Sequence, residues 1–121
     1  MTQSPITKQG FDLEERTLEF AKQVIRLCKQ LPQNVINKEL IAQLIRASGS
    51  VGANYREAND ALSKKDFNHR IKITRKEAKE SSYWLDLLKE TNPAYVEEIS
   101  KLLTESVELK KIFSSIADKC S

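Results

Sequence analysis

The chain has 121 residues, 40% of them hydrophobic and 31% charged, with a formal net charge of +3, one histidine and two cysteines. That is enough chain for one domain with a real core, and too apolar for intrinsic disorder. Three glycines and three prolines leave little material for the turns of an all-β fold, and no apolar run approaches the ~18 residues of a membrane span. The N-terminal "MTQSPITKQGFDLEER" lacks the apolar run of a secretory signal. Cys28 and Cys120 lie far apart and form no C-x-x-C pair. The expectation is a cytoplasmic protein with free thiols, Cys28 in the core.

The first predicted helix spans about 12–31. Leu13, Thr17, Phe20, Val24, Leu27 with Cys28, and Leu31 recur at intervals of three and four. Asp12, Glu14 and Glu15 at its start, with Arg26 and Lys29 at its end, suit the helix macrodipole. Pro32 ends it. The second helix spans about 38–60, with Asn37 as its expected N-cap and a stripe of Ile41, Leu44, Ser48, Val51, Tyr55 and Ala58. The third spans about 64–90. Ser63 is its expected N-cap, with Asp66 in the capping-box position, and its stripe is Phe67, Ile71, Thr74, Ala78, Ser81, Leu85 and Leu88. Pro93 separates it from a fourth helix, about 94–118, with Ile99, Leu102, Leu109, Phe113 and Ile116 on one face. Four amphipathic helices with short links and no internal repeat or linker predict a single all-α domain, an antiparallel up-down-up-down four-helix bundle.

The stretch "IRASGSVGANYREAN" in the second helix holds Gly49 and Gly52. A phosphate-binding loop needs G-x-x-x-x-G-K-[ST] between a strand and a helix. No lysine follows Gly52 and no strand pattern precedes Gly49, so the glycines belong to a helix. Each glycine inside a helix costs ~1 kcal/mol against alanine, which calls for an offsetting contact. On a helical wheel Arg46, Ser50, Asn54 and Glu57 gather opposite the apolar stripe, with Gly49 and Ala53 beside them. Small residues here and at Gly52 admit a close backbone approach. The partner is either another helix of the same bundle or a second subunit, and the wheel leaves both open.

Residues 64–79, "KKDFNHRIKITRKEAK", carry seven Lys or Arg against two acids, so the rest of the chain is net negative. Lys65, Lys72, Lys76 and Lys79 fall on a narrow arc away from the core stripe. Arg75 is at its margin, and His69 and Tyr83 border the same side. Like charges at i, i+4 and lysines at a helix N-terminus are locally unfavourable. Such a ladder suits a phosphate backbone of RNA or DNA, with His69 or Tyr83 available for stacking. It also suits a solvated face.

Catalytic signatures are absent from the pattern. A single histidine excludes the paired E-x-x-H motifs of di-iron bundles and leaves zinc short of its usual ligands. A Cys–His nucleophile would have to join a core cysteine to His69 on a polar face. No arginine lies four to six residues before His69 on its own helix. The expectation is a non-enzyme with no metal and no cofactor.

"LIRASGSVGANYREA" followed by "DFNHRIKITRKEAKESSYWLDLL" resembles the small proteins encoded by intervening sequences in bacterial 23S ribosomal RNA genes. The resemblance covers roughly residues 10–115. It rests on Arg46, Ser50, Val51, Asn54 and Glu57, then Phe67, Lys76, Glu77, Ala78, Glu80, Ser81, Tyr83, Trp84 and Leu85. The two glycines, and Ala58 after Glu57, depart from the usual pattern. The resemblance implies an antiparallel four-helix bundle that assembles into a ring, typically a pentamer, without enzymatic activity. It is similar to the accessory protein of diversity-generating retroelements, which binds nucleic acid and a reverse transcriptase. The sequence is therefore read as a homo-oligomeric nucleic-acid-binding protein using the basic third helix. The alternative is an interaction scaffold for a protein partner such as a polymerase, without direct nucleic-acid binding.

Overall fold

The computed structural model describes residues 5–120, with side chains from 13 to 119. Four helices follow one another: α1 (Pro5–Gln30), α2 (Val35–Asn59), α3 (Lys64–Thr91) and α4 (Val96–Cys120), with a 3₁₀ turn at Pro93–Tyr95 before α4. Each helix packs on its neighbours in sequence and α1 closes the square against α4, while among the described residues the diagonals α1–α3 and α2–α4 do not approach. Cross-helix pairs run in opposite directions, Arg46 with Glu80 and Arg70 with Asn54, so α2 and α3 are antiparallel. This is the predicted up-down-up-down bundle.

The stripes form its interior. Phe20, Val24 and Leu27 from α1, Leu44, Val51 and Tyr55 from α2, Ile71, Leu85 and Leu88 from α3, and Ile99, Leu109 and Phe113 from α4 are all buried. Tyr55 and Phe113 meet across the core with ring centroids 5.3 Å apart. Cys28 is buried as expected; Cys120 has no described side chain.

Two helix starts differ from the expectation. The first helix begins at Pro5 rather than Asp12. Proline suits the first helical position, and Gly10 lies within the helix. Glu14 and Glu15 consequently sit well inside α1 rather than in its first turn. The second helix begins at Val35, capped by Asn34, whose side-chain oxygen accepts from the Asn37 backbone N–H at 2.8 Å. Asn37 is not the cap. It is fully buried and reaches across the end of the bundle to Asn92. Asn37 Nδ2 donates to Asn92 Oδ1 at 2.8 Å and to the Pro32 carbonyl at 2.8 Å, and Asn92 Nδ2 donates back to Asn37 Oδ1 at 2.9 Å and to the Leu88 carbonyl at 2.9 Å. This amide pair ties the α1–α2 link to the α3–α4 link and satisfies polar groups that burial would otherwise strand. Ser63 caps α3 as expected, accepting from the Asp66 N–H at 3.0 Å.

The two glycines have different environments. A Cβ on Gly52 would lie 3.0 Å from Thr17 Oγ1 and 3.4 Å from Thr17 Cβ, while a Cβ on Gly49 would meet nothing within 4 Å. Gly52 is therefore the close approach of α2 to α1 within one bundle. Thr17 cannot easily turn away, because its hydroxyl donates to the Leu13 carbonyl at 2.7 Å.

In urea denaturation, Gly52→Ala should lose about 1–2 kcal/mol, an overpacking penalty exceeding the helix-propensity gain. The double variant Gly52→Ala/Thr17→Ala should recover part of that loss relative to additivity. Asn37→Leu should cost about 2–4 kcal/mol by stranding the Asn92 amide in a buried site.

Candidate nucleic-acid interface

Helix α3 lies between two neighbours, and its charges divide accordingly. On the side facing α2 they are engaged by polar side chains of that helix. Arg46 Nη2 donates to Glu80 Oε1 at 2.9 Å, and Arg46 Nη1 lies 3.4 Å from Glu77 Oε1, whose side chain is buried. Further along the seam Arg70 Nη1 donates to Asn54 Oδ1 at 3.0 Å, and Asn54 Nδ2 donates to the Ser50 carbonyl at 2.9 Å. Of the polar set read on the second helix, Arg46 and Asn54 thus turn to α3 of the same chain. Ser50 is half-buried, Gly49 and Ala53 are exposed, and Glu57 is exposed with no ion pair among the described residues.

On the side facing α4 the charges are not neutralised. Lys72, Arg75, Lys76 and Lys79 line a groove of about 380 Å³ together with Lys110 and Ser114 from α4. The i, i+3, i+4, i+7 spacing places the four α3 cations on one stripe. Among the described residues Lys72, Arg75, Lys79 and Lys110 have no carboxylate within 4.0 Å. Lys76 has one at that limit, Glu80 Oε2 at 4.0 Å, and Glu80 is already engaged by Arg46. Among the described residues no carboxylate lines the groove.

The rest of the predicted interface lies apart from this groove. Lys65 is exposed near the start of α3. His69 lines a separate hollow of about 290 Å³ at the α2–α3 turn with Glu57, Asp60, Asp66 and Arg70. Tyr83, 59% exposed, is one turn beyond Lys79 and stands edge-on to Trp84 with ring centroids 5.1 Å apart. Lys110 and Ser114 were missed by the sequence reading. Their helix shows an ordinary amphipathic pattern, and only packing brings them to the α3 ladder.

Among the described residues no three of His, Cys, Asp and Glu converge in an arrangement that could hold a metal ion. Burial pushes the Cys28 thiol up to about 11, far from the depressed range of a reactive cysteine. Arg16 and Glu105 join two helices: Arg16 on α1 grips Glu105 on α4 in a two-point contact at 2.7 and 2.9 Å, a geometry that guanidinium and carboxylate favour. Among the described residues no helix is long and apolar enough to cross a membrane.

Four antiparallel helices, a polar α2–α3 seam and an unneutralised α3–α4 groove define a four-helix-bundle protein with a cationic interhelical cleft. The chain belongs to the family of 23S rRNA-intervening sequence proteins, which it matches over residues 10–115. It is similar to a crystal structure of a protein of unknown function in the S23 ribosomal protein family of Bacteroides thetaiotaomicron VPI-5482. The TM-score is 0.77 and the identity 34%, covering 87% of this chain and 97% of that one. No curated protein matches it.

In a Cys120→Ser background, Cys28 should resist alkylation at pH 8 while the protein is folded and react rapidly in denaturant. The unfolded thiol ionises near pH 9, whereas the folded thiol stays protonated to about 11. Stability should therefore fall as pH rises through that window, and Cys28→Ala should reduce that fall.

Proposed function

We propose that this protein is a non-catalytic, homo-oligomeric nucleic-acid-binding bundle of the cytoplasm, whose α3–α4 groove holds phosphate groups. The observation that carries the reading is the convergence of four unpaired cations and a fifth, weakly paired one on a single groove. The chain has 17 acids for its 20 lysines and arginines, yet among the described residues no acid lines the groove. Clustered cations without neutralising partners repel one another, and a polyanion relieves that repulsion through counterion release.

A second set of observations supports self-association. Gly49 faces open space on an outer face of α2. Leu18 and Ile25 on α1 and Ile45 on α2 remain exposed on the two helices that meet at Thr17 and Gly52. Trp84 Nε1 on α3 is buried without a hydrogen bond among the described residues. The family resemblance implies a ring, typically of five copies, and such a ring multiplies weak grooves into avidity. A protein partner such as a polymerase would share the same ring, and a nuclease-resistant pull-down that fails to show direct nucleic-acid binding would favour that scaffold role.

Binding to RNA and DNA should be measurable at low salt, and neutralising Lys72, Lys76 and Lys79 together to glutamine should reduce the salt slope by about 2–3. No binding at low salt, or an unchanged slope, would overturn the reading. Native mass spectrometry should show a closed oligomer, five copies by the resemblance. Gly49→Leu should dissociate it while circular dichroism stays helical, because the added side chain meets nothing inside one bundle. An oligomer unaffected by Gly49→Leu would remove this face from the contact.

A further inference from the structure

We infer that α4 completes the phosphate site, and that the completed cleft seats the sugar-phosphate backbone of a double helix rather than an unstacked single strand. The inference rests on the nucleic-acid reading above and narrows it to one class of ligand.

Lys110 and Ser114 stand one turn apart on α4 and face the α3 ladder across the groove. Both are half-buried. The Ser114 hydroxyl makes no hydrogen bond with another described residue. By contrast Thr17, Thr74, Ser81, Ser82 and Thr104 each return their hydroxyl to the carbonyl four residues earlier. Ser114 therefore keeps a free donor among five cations, the combination that a phosphate oxygen accepts from.

The absence of rings from the lining decides between a duplex and a single strand. Proteins that hold single strands without sequence preference draw much of their affinity from bases stacked on aromatic side chains. Among the described residues no aromatic side chain lines this groove. Tyr83 lies beyond its end and is engaged with Trp84, and His69 lines the other hollow. What remains is a straight row of charge on a rigid helix. Lys72 to Lys79 spans about 10 Å at 1.5 Å per residue, close to the rise of about three phosphates along one duplex strand. A duplex presents that row already ordered, whereas a flexible strand without stacking loses conformational freedom to match it.

The test uses the full-length protein and fluorescence anisotropy from 50 to 200 mM salt. The probes are a 12-base-pair DNA duplex, the equivalent RNA duplex and each constituent single strand, with inorganic polyphosphate as a competitor. At least one duplex should bind ten-fold or more tightly than its strands. Lys110→Gln should reduce the magnitude of the salt slope by about 0.9, Ser114→Ala should weaken duplex binding two- to five-fold with the slope unchanged, and Tyr83→Ala should leave it unchanged. Single strands binding as tightly as the duplexes would overturn the inference. So would a loss above five-fold in Tyr83→Ala, an unchanged slope in Lys110→Gln, or polyphosphate displacing duplex phosphate for phosphate. If any of these occurs while the Lys72/Lys76/Lys79 variant still loses binding, the groove remains a nucleic-acid site and only its completion by α4 and its duplex preference fall. If no nucleic acid binds at low salt, both readings fall.

Discussion

The close approach of α3 to α4 sets the geometry of everything outside the core. Ser82 Oγ and Ser106 Oγ lie 2.7 Å apart, and Ser106 also donates to the Leu103 carbonyl at 2.7 Å. Both residues are small, and Ala78 and Ser81 beside them on α3 are fully buried. Large side chains at these positions would hold the helices apart. Because hydroxyls occupy the contact and each finds a partner, the seam carries polar atoms without stranding them. One turn beyond Ser106, Lys110 then falls beside Lys72, Arg75, Lys76 and Lys79.

Helix α3 keeps its two flanks electrically distinct. Toward α2 its acids meet Arg46 and its Arg70 meets Asn54. Toward α4 its cations are left to solvent or a ligand. The asymmetry requires acids and bases to alternate in sequence, as in "TRKEAKE" over 74–80, so that a rotation of about 100° per residue sends Glu77 and Glu80 one way and Arg75 and Lys79 the other. The part-exposed Arg46–Glu80 pair contributes little to stability; its consequence here, with the Arg46 contact to buried Glu77, is to keep both carboxylates out of the groove. The remaining seam, α1 against α4, is the thinnest. Arg16–Glu105 pins one part of it and the Tyr95 hydroxyl, donating to the Gln30 carbonyl at 3.1 Å, pins the other. Between them a hollow of about 180 Å³ remains above Leu27 and Leu102.

Most of the fold was legible because apolar periodicity is a local signal. Phe20, Leu44, Ile71 and Phe113 were placed in the core by spacing alone, and Ser63 was placed as a cap by its neighbours. Asn37 shows where local signals stop. In "PQNVINKE" both asparagines satisfy the chemistry of an N-cap. The choice fell to Asn34 because the amide of Asn92, 55 residues later, takes up Asn37. The start of α1 differs for a related reason: Asp12, Glu14 and Glu15 have the chemistry of a first turn, yet the helix already begins at Pro5, and the glycine at position 10 costs it only ~1 kcal/mol.

The sequence by itself determined four amphipathic helices, their antiparallel order and the basic stripe on the third, since all of these follow from residue spacing and short links. Tertiary structure decided which glycine is a contact. Gly49 and Gly52 are equivalent as helix residues, and only the position of Thr17 on another helix makes Gly52 the close approach and leaves Gly49 open. It also decided the composition of the candidate site. Lys110 and Ser114 join the lysine ladder, while His69 is set apart in its own hollow. The angle of a side chain around its own helix is a local property. Which neighbour that angle meets depends on how all four helices pack together.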